Sequence, residues 1–237
     1  MTYAQHKEDL IAACFFSDEA NATGEIYAPL RFCEVGAGDG RLYSNTLLLE
    51  QQGWQGVLIE PHPLSAATAR RQRLARVVQC ACVADSTTQI VTLHMAALAE
   101  LSTLVADAEP FVKLLHERLG VKHTFTQQRV RASTLSAVLS QQGIHTTRQA
   151  PPFGGLHFLS VDAEWYNVAV LEGMDFNAWR PRLVVVEAND GAEEAGVKML
   201  MQRAAYTFAV QHVNNLFFTR DEADAPVLAC CAERIGT

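Results

Sequence analysis

Apolar residues in this chain recur in two rhythms. Short continuous apolar runs stand at Arg31 to Val35, Gly56 to Glu60, Val77 to Val83, Leu156 to Val161 and Arg182 to Glu187, and each reads as a buried strand. Between them, apolar positions three and four apart mark helices with one buried face. These are residues 4 to 16, Ser44 to Gln52 with Gly53 placed to stop it, Leu64 to Leu74, the stretch from Ser133 or Thr134 to Gly143, and 191 to 204. Thr88 to His94 and Arg129 to Ala132 read as further strands. A Pro151 to Gly155 loop precedes the Leu156 run, and a final pair, Tyr206 to His212 and Asn215 to Arg220, ends the pattern.

Strands alternating with helices predict an α/β domain with a mostly parallel, doubly wound sheet, and the last pair adds an antiparallel C-terminal hairpin strand. The whole chain, 1–237, reads as one domain. Residues 1–30 form its N-terminal helical segment and 96–125 a helical insertion over the active site. Ligands of such sheets bind at the carboxyl ends of the strands, so the candidate ligand contacts are the residues just past each apolar run.

Composition narrows the partners. Of 237 residues 49% are hydrophobic, and 19 basic against 26 acidic residues leave a net charge of -7. An acidic chain without a broad basic face disfavours a nucleic-acid partner. Arg70 to Arg73 read as the solvated side of a helix. No apolar stretch approaches the roughly 20 residues of a membrane span, and Glu8 and Asp9 interrupt the start where a signal peptide would be apolar. Six cysteines without a Cys-x-x-Cys pair fit a reduced, cytoplasmic protein, and Cys230-Cys231 suggest no role.

Gly36, Gly38 and Gly40 make a Gly-x-Gly-x-Gly turn between the first strand and a helix, where a ligand can approach the backbone closely. The dinucleotide fingerprint needs its third glycine at the position of Arg41, and no Gly-Lys phosphate loop is present. Glu34 and Asp39 beside this turn repel a pyrophosphate and favour a cationic ligand such as S-adenosylmethionine, while Glu60 at the end of the second strand is placed to accept from both ribose hydroxyls.

A second group gathers at the exits of the Leu156 and Arg182 runs: Asp162, Glu164, Glu187 and Asn189. Carboxylates crowded together raise one another's pKa, so one can serve as general base toward a hydroxyl. They could equally hold a hard divalent cation, or cap helices. His62 enters the same rim as Glu60, and the histidines lack a zinc-like spacing.

These residues resemble the FkbM-type S-adenosylmethionine-dependent methyltransferases, over roughly residues 5 to 220. The resemblance is carried by Glu34-Val-Gly-Ala-Gly-Asp-Gly40, Ser44-Asn45-Thr46-Leu47, Gly53 to Pro61, Ser160 to Glu164 and Val170 to Asp175. It implies a class I Rossmann-like methyltransferase fold, S-adenosylmethionine as cofactor, and methyl transfer to a hydroxyl of a sugar or small secondary metabolite. The methionine end would lie at Glu34, Gly36, Ala37, Gly38 and Asp39, approached by Ser44 and Asn45. The ribose would lie at Glu60 with Pro61, and the adenine at Cys82 and Val83. Asp162, Glu164 and Glu187 would be the catalytic set, with Asp162 as base or metal ligand. Where the family usually reads Asp-x-Glu-Gly-x-Glu, this chain has Trp165 for the Gly and Asn167 for the second Glu. A non-catalytic binding protein of the same fold and a nicotinamide-dependent oxidoreductase are the rival readings.

Overall fold

A computed structural model of the chain describes residues 1–17, 29–146 and 155–236. The loop expected at Pro151 to Gly154 and part of the 1–30 segment lie outside these residues. Ten strands run in chain order as β1 (Arg31–Val35), β2 (Gln55–Ile59), β3 (Arg76–Val78), β4 (Ala81–Cys82), β5 (Ile90–Ala96), β6 (Phe125–Ser133), β7 (Phe158–Val161), β8 (Leu183–Glu187), β9 (Thr207–His212) and β10 (Asn215–Thr219). Seven form one sheet in the order β3-β2-β1-β7-β8-β10-β9, and three form a small sheet, β4-β6-β5.

In the large sheet, β3, β2, β1, β7 and β8 are parallel, and β10 runs antiparallel to both β8 and β9. The expected α/β class, doubly wound winding and antiparallel C-terminal strand are therefore all present. Side chains alternate along each strand between two cores. Cys33, Val35, Val57, Ile59, Leu159, Val184 and Val186 face the helices Leu135–Gln141, Asn167–Glu172 and Gly191–Arg203. Phe32, Leu58, Phe158, Val185 and Phe217 face Glu8–Phe15, Leu47–Gln51 and Pro63–Gln72. Because both faces are covered, β7 and β8 are buried along their whole length and read as unbroken apolar runs.

The structure departs from the sequence reading in three places. The single strand expected over Val77 to Val83 is two: β3 pairs with β2, and after residues 79 and 80 β4 pairs with β6. One apolar run serves two cores here, with Cys80 and Cys82 packing in the main core while Ala81 packs with Leu93 and Val130 under the small sheet. The expected helix over 4 to 16 is confined to Glu8–Phe15. A helix that was not anticipated, Ala225–Gly236, closes the second core with Leu228, Cys231 and Ala232 against Ile11, Ala12 and Phe15. Cys231 thus serves as a small buried apolar group.

The segment 96–125 connects the antiparallel partners β5 and β6 and carries two short 3-10 turns, Ala99–Leu101 and Ala106–Ala108, followed by the helix Glu109–Arg118. No helix among the described residues is long and apolar enough to cross a membrane.

The glycine turn is fixed by packing as well as by conformation. At Gly36, φ is +80° and a Cβ would stand 1.5 Å from the carbonyl oxygen of Asp162, whereas at Gly38, φ is +54° and a Cβ would meet nothing within 4 Å. Gly36→Ala is therefore expected to cost at least about 3 kcal/mol or to prevent folding, and Gly38→Ala only about 1 kcal/mol of backbone strain. Urea denaturation of both variants measures the difference, and equal losses would contradict the close approach.

Candidate active site

A cavity of about 310 Å³ opens at the carboxyl ends of β1, β2, β7 and β8, where the strand order reverses between β1 and β7. The glycine turn forms one wall. Gly36 and Ala37 donate their N–H groups to the carbonyl of Ile59 at 2.9 and 3.2 Å, and Gly38 donates to Oε2 of Glu60 at 2.8 Å. Oε1 of Glu60 accepts from the N–H of His62 at 2.6 Å, so the carboxylate is oriented before any ligand binds. Burial pushes the Glu60 carboxyl up to about 7, against the two backbone donors.

Glu34 lines the same wall, but its charge is already engaged. It accepts from the hydroxyls of Ser44 and Thr46 and from the N–H of Asn45, at 2.5 to 3.2 Å, and Nη1 of Arg73 lies 3.5 Å away. Arg73 is itself buried, donating to Glu50 at 3.1 Å, the carbonyl of Gly40 at 2.9 Å and the hydroxyls of Ser44 and Thr46 at 3.0 and 2.9 Å. It is no part of a solvated helix face. Glu34 thus acts as an internal counter-ion for Arg73, which removes one of the two charges invoked against a pyrophosphate.

The opposite wall is acidic. One ligand oxygen from each of Asp162, Glu164 and Glu187 falls within 4.8 Å of the others, a spacing that could hold a hard cation. Oδ1 of Asp162 is buried without a hydrogen-bond partner. Glu187 accepts from the amides of Asn214 at 2.6 Å and Asn189 at 3.2 Å. The Asp162 and Glu164 carboxyls are pushed well above the ordinary range, first by burial and then by Glu187.

Both departures from the family pattern acquire reasons here. Glu164 and Trp165 have φ of 44° and 65°, the left-handed region that favours glycine, so Trp165 keeps the backbone a Gly would adopt and bears its strain. The turn is latched to the insertion: the Thr103 hydroxyl donates to the Glu164 carbonyl at 2.6 Å, and Phe111 meets Trp165 edge-on at 5.0 Å. Asn167 is fully buried, accepts from the N–H of Ala163 at 2.7 Å, and donates to the Glu187 carbonyl and to Glu193, each at 3.1 Å. A carboxylate there could not donate and would face Glu193 as a like charge.

Of the residues read from the sequence, Glu34, Gly36, Ala37, Gly38, Glu60, Pro61, Cys82, Asp162, Glu164 and Glu187 all line the cavity. Asp39, Ser44, Asn45 and Val83 do not. Asp39 accepts from the N–H groups of Arg41 and Leu42, both at 2.8 Å, closing its own loop. The Ser44 hydroxyl accepts from the N–H of Leu47 at 3.1 Å, and Asn45 donates to Ser160 at 3.0 Å, so both brace the wall behind Glu34. Val83 is buried, with its carbonyl against Gly173. His62 accepts from the N–H of Ser65 at 3.3 Å as a helix cap. Cys80, Glu100, Thr103, Phe111 and Asn214 also line the cavity, although the sequence reading did not point to them. Glu100, Thr103 and Phe111 belong to the 96–125 insertion expected over the active site, and Asn214 had a signal of its own: β10 starts where β8 ends, which brings the turn before it to the acidic edge.

The profile of the family described as the methyltransferase FkbM domain matches residues 34–217. No curated protein matches the chain significantly. Solved structures that are similar include the METTL16 MTase domain, 11% identical with a TM-score of 0.45 over 87% of this chain and 66% of that one, so that this chain spans about two thirds of its length. Human methyltransferase 10 domain containing protein is 11% identical with a TM-score of 0.44 over 90% and 83% of the two chains. Precorrin-6y C5,15-methyltransferase from Geobacter metallireducens is 7% identical with a TM-score of 0.39 over 85% and 84%.

The Glu60 carboxyl titrates near 7 when folded, against 4.5 for a solvated glutamate. The folded protein therefore holds the extra proton between these values, and the stability it confers is lost as pH rises through about 7. The unfolding free energy is expected to drop by about 2 kcal/mol from Glu60 between about pH 5 and about pH 8, and Glu60→Gln flattens that slope. Identical slopes for the two proteins would contradict the assignment.

Proposed function

The chain belongs to the FkbM methyltransferase domain family, which is S-adenosylmethionine-dependent, and on that premise we propose that it methylates a hydroxyl oxygen of a sugar or small secondary metabolite. The observation that carries this reading is the partnerless Oδ1 of Asp162, buried at the cavity wall while the same residue's carbonyl packs on Gly36. The candidate base and the glycine cradle are thereby built against each other.

The cavity fits the cofactor. The open space over Gly38 admits a ligand against the backbone, and Glu60 offers an oriented carboxylate for a ribose diol. Cys82 would border the adenine end, and Glu34 would stand behind the methionine end. The cofactor supplies a methyl already activated by its sulfonium.

The chain's own residues position the acceptor and take its proton. Burial first, and then the neighbouring Glu187, push the Asp162 carboxyl well above the ordinary carboxylate range. A cation held beside the pair would lower its proton affinity and favour the ionised Asp162 that can accept the proton of the acceptor hydroxyl. Asn189 and Asn214 hold Glu187 in place while this happens. A non-catalytic binding protein of the same fold is the second reading, favoured by Trp165, which packs edge-on against Phe111 in the cavity wall where the family pattern has Gly.

S-adenosylhomocysteine is expected to raise the melting temperature of the isolated protein, and Glu60→Ala to weaken its binding at least roughly tenfold. Asp162→Ala should keep that affinity within about threefold while abolishing turnover. Undiminished binding in Glu60→Ala would sink the cofactor placement, and undiminished turnover in Asp162→Ala the assignment of the base. Binding without transfer to any acceptor would favour the second reading.

A further inference from the structure

Resting on the methyltransferase reading, we propose that the acceptor carries a protonated amine as well as its hydroxyl, and that Glu100 and Glu164 select it. Among the described residues lining the cavity there are six carboxylates, Glu34, Glu60, Glu100, Asp162, Glu164 and Glu187, and no Lys, Arg or His. Four are accounted for. Glu34 faces Arg73, Glu60 is oriented by two backbone donors toward a ribose, and Asp162 and Glu187 form the base pair.

Glu164 and Glu100 remain. The ionisable groups around Glu164 are Asp162, Glu187, Glu193 and Glu100, all acidic. Glu100 is exposed, on the short 3-10 turn Ala99–Leu101 of the insertion, and so faces whatever enters. An anionic acceptor would meet only repulsion, whereas an ammonium group would supply the counter-charge that the acids around Glu164 lack.

An independent feature of the same wall suits an ammonium group. Trp165 comes directly after Glu164 and meets Phe111 edge-on, and both rings line the cavity together with Tyr166. Aromatic faces beside carboxylates attract organic cations while excluding water from them. The Thr103 bond to the Glu164 carbonyl holds the acid and the insertion together, so the carboxylate and the rings present one surface.

The test is calorimetric titration of the full chain saturated with S-adenosylhomocysteine, whose own binding is measured first and reports separately on the reading of function. Two series of probes carry a cation, no charge or a carboxylate on a common scaffold: tyramine, 4-ethylphenol and 4-hydroxyphenylacetate; and glucosamine, glucose and glucuronate. In at least one series the amine is expected to bind at least roughly tenfold tighter than the neutral member, with no binding of the carboxylate. Glu100→Gln should cut that preference roughly threefold, since an exposed charge contributes modestly. If S-adenosylhomocysteine binds but the neutral or acidic member equals the amine in both series, or neither amine binds, or Glu100→Gln leaves the preference unchanged, the proposal is overturned.

Discussion

The buried ion network around Arg73 is the constraint on which the site depends. Its side chain is fully buried, with Glu34 and Glu50 on either side of it. Through these two acids and the carbonyl of Gly40 it joins the end of β1, the glycine turn and the start of the next helix to the end of Pro63–Gln72. Glu50 in turn accepts from the N–H groups of Leu74 and Ala75 at 3.2 and 2.8 Å, fixing the entry to β3. A network of this kind gains little over an apolar core, but removing one member strands a buried charge at a cost of about 3 to 5 kcal/mol. It therefore specifies one arrangement of the turn, and that arrangement is what leaves Gly38 bordering open space and Glu60 oriented.

The other half of the cavity is built on the opposite principle. Around Arg73 the acids have a cation; at Asp162, Glu164 and Glu187 they have only one another. The Asp162 and Glu164 carboxyls are pushed toward their protonated forms, and Asn189, Asn214 and Asn167 orient the backbone and side chains around the group. Two consecutive residues in the left-handed region add strain at the same place. The protein thus holds a site whose electrostatic energy a cationic ligand relieves, which accounts for binding a sulfonium donor better than any property of the glycines does.

Much of this architecture was legible in the sequence, for a physical reason. Strands buried on both faces are mostly apolar, so β1, β2, β7 and β8 stand out as runs, and polar residues at or just past their ends fall at the carboxyl edge. That is why Glu34, Glu60, Asp162 and Glu187 could be read as candidates. Polar residues whose role depends on packing across the fold could not. Arg73 has the same side chain as its exposed neighbours Arg70 and Arg71, and only the helix end at Gln72 turns it inward. Asp39, Ser44 and Asn45 sit where ligand-binding residues would sit, yet hydrogen bonds within the protein engage them, near in sequence for Asp39 and Ser44 and across to Ser160 for Asn45. The insertion residues Glu100 and Phe111 come from a segment without strong periodicity, and their contact with the site exists only in three dimensions.

The central claim is that an acid-walled cavity, whose Asp162 and Glu164 carboxyls are pushed well above the ordinary range, gives up protons on binding a cationic methyl donor. Calorimetric titration near pH 7 with S-adenosylmethionine and with S-adenosylhomocysteine, each in two buffers of different ionisation enthalpy, measures it directly. Both ligands share the ribose and adenine, so only the sulfonium distinguishes their linked protons. S-adenosylmethionine is expected to release more protons than S-adenosylhomocysteine, and Asp162→Asn to narrow the difference. Equal proton release by the two ligands in the wild-type protein would contradict the claim.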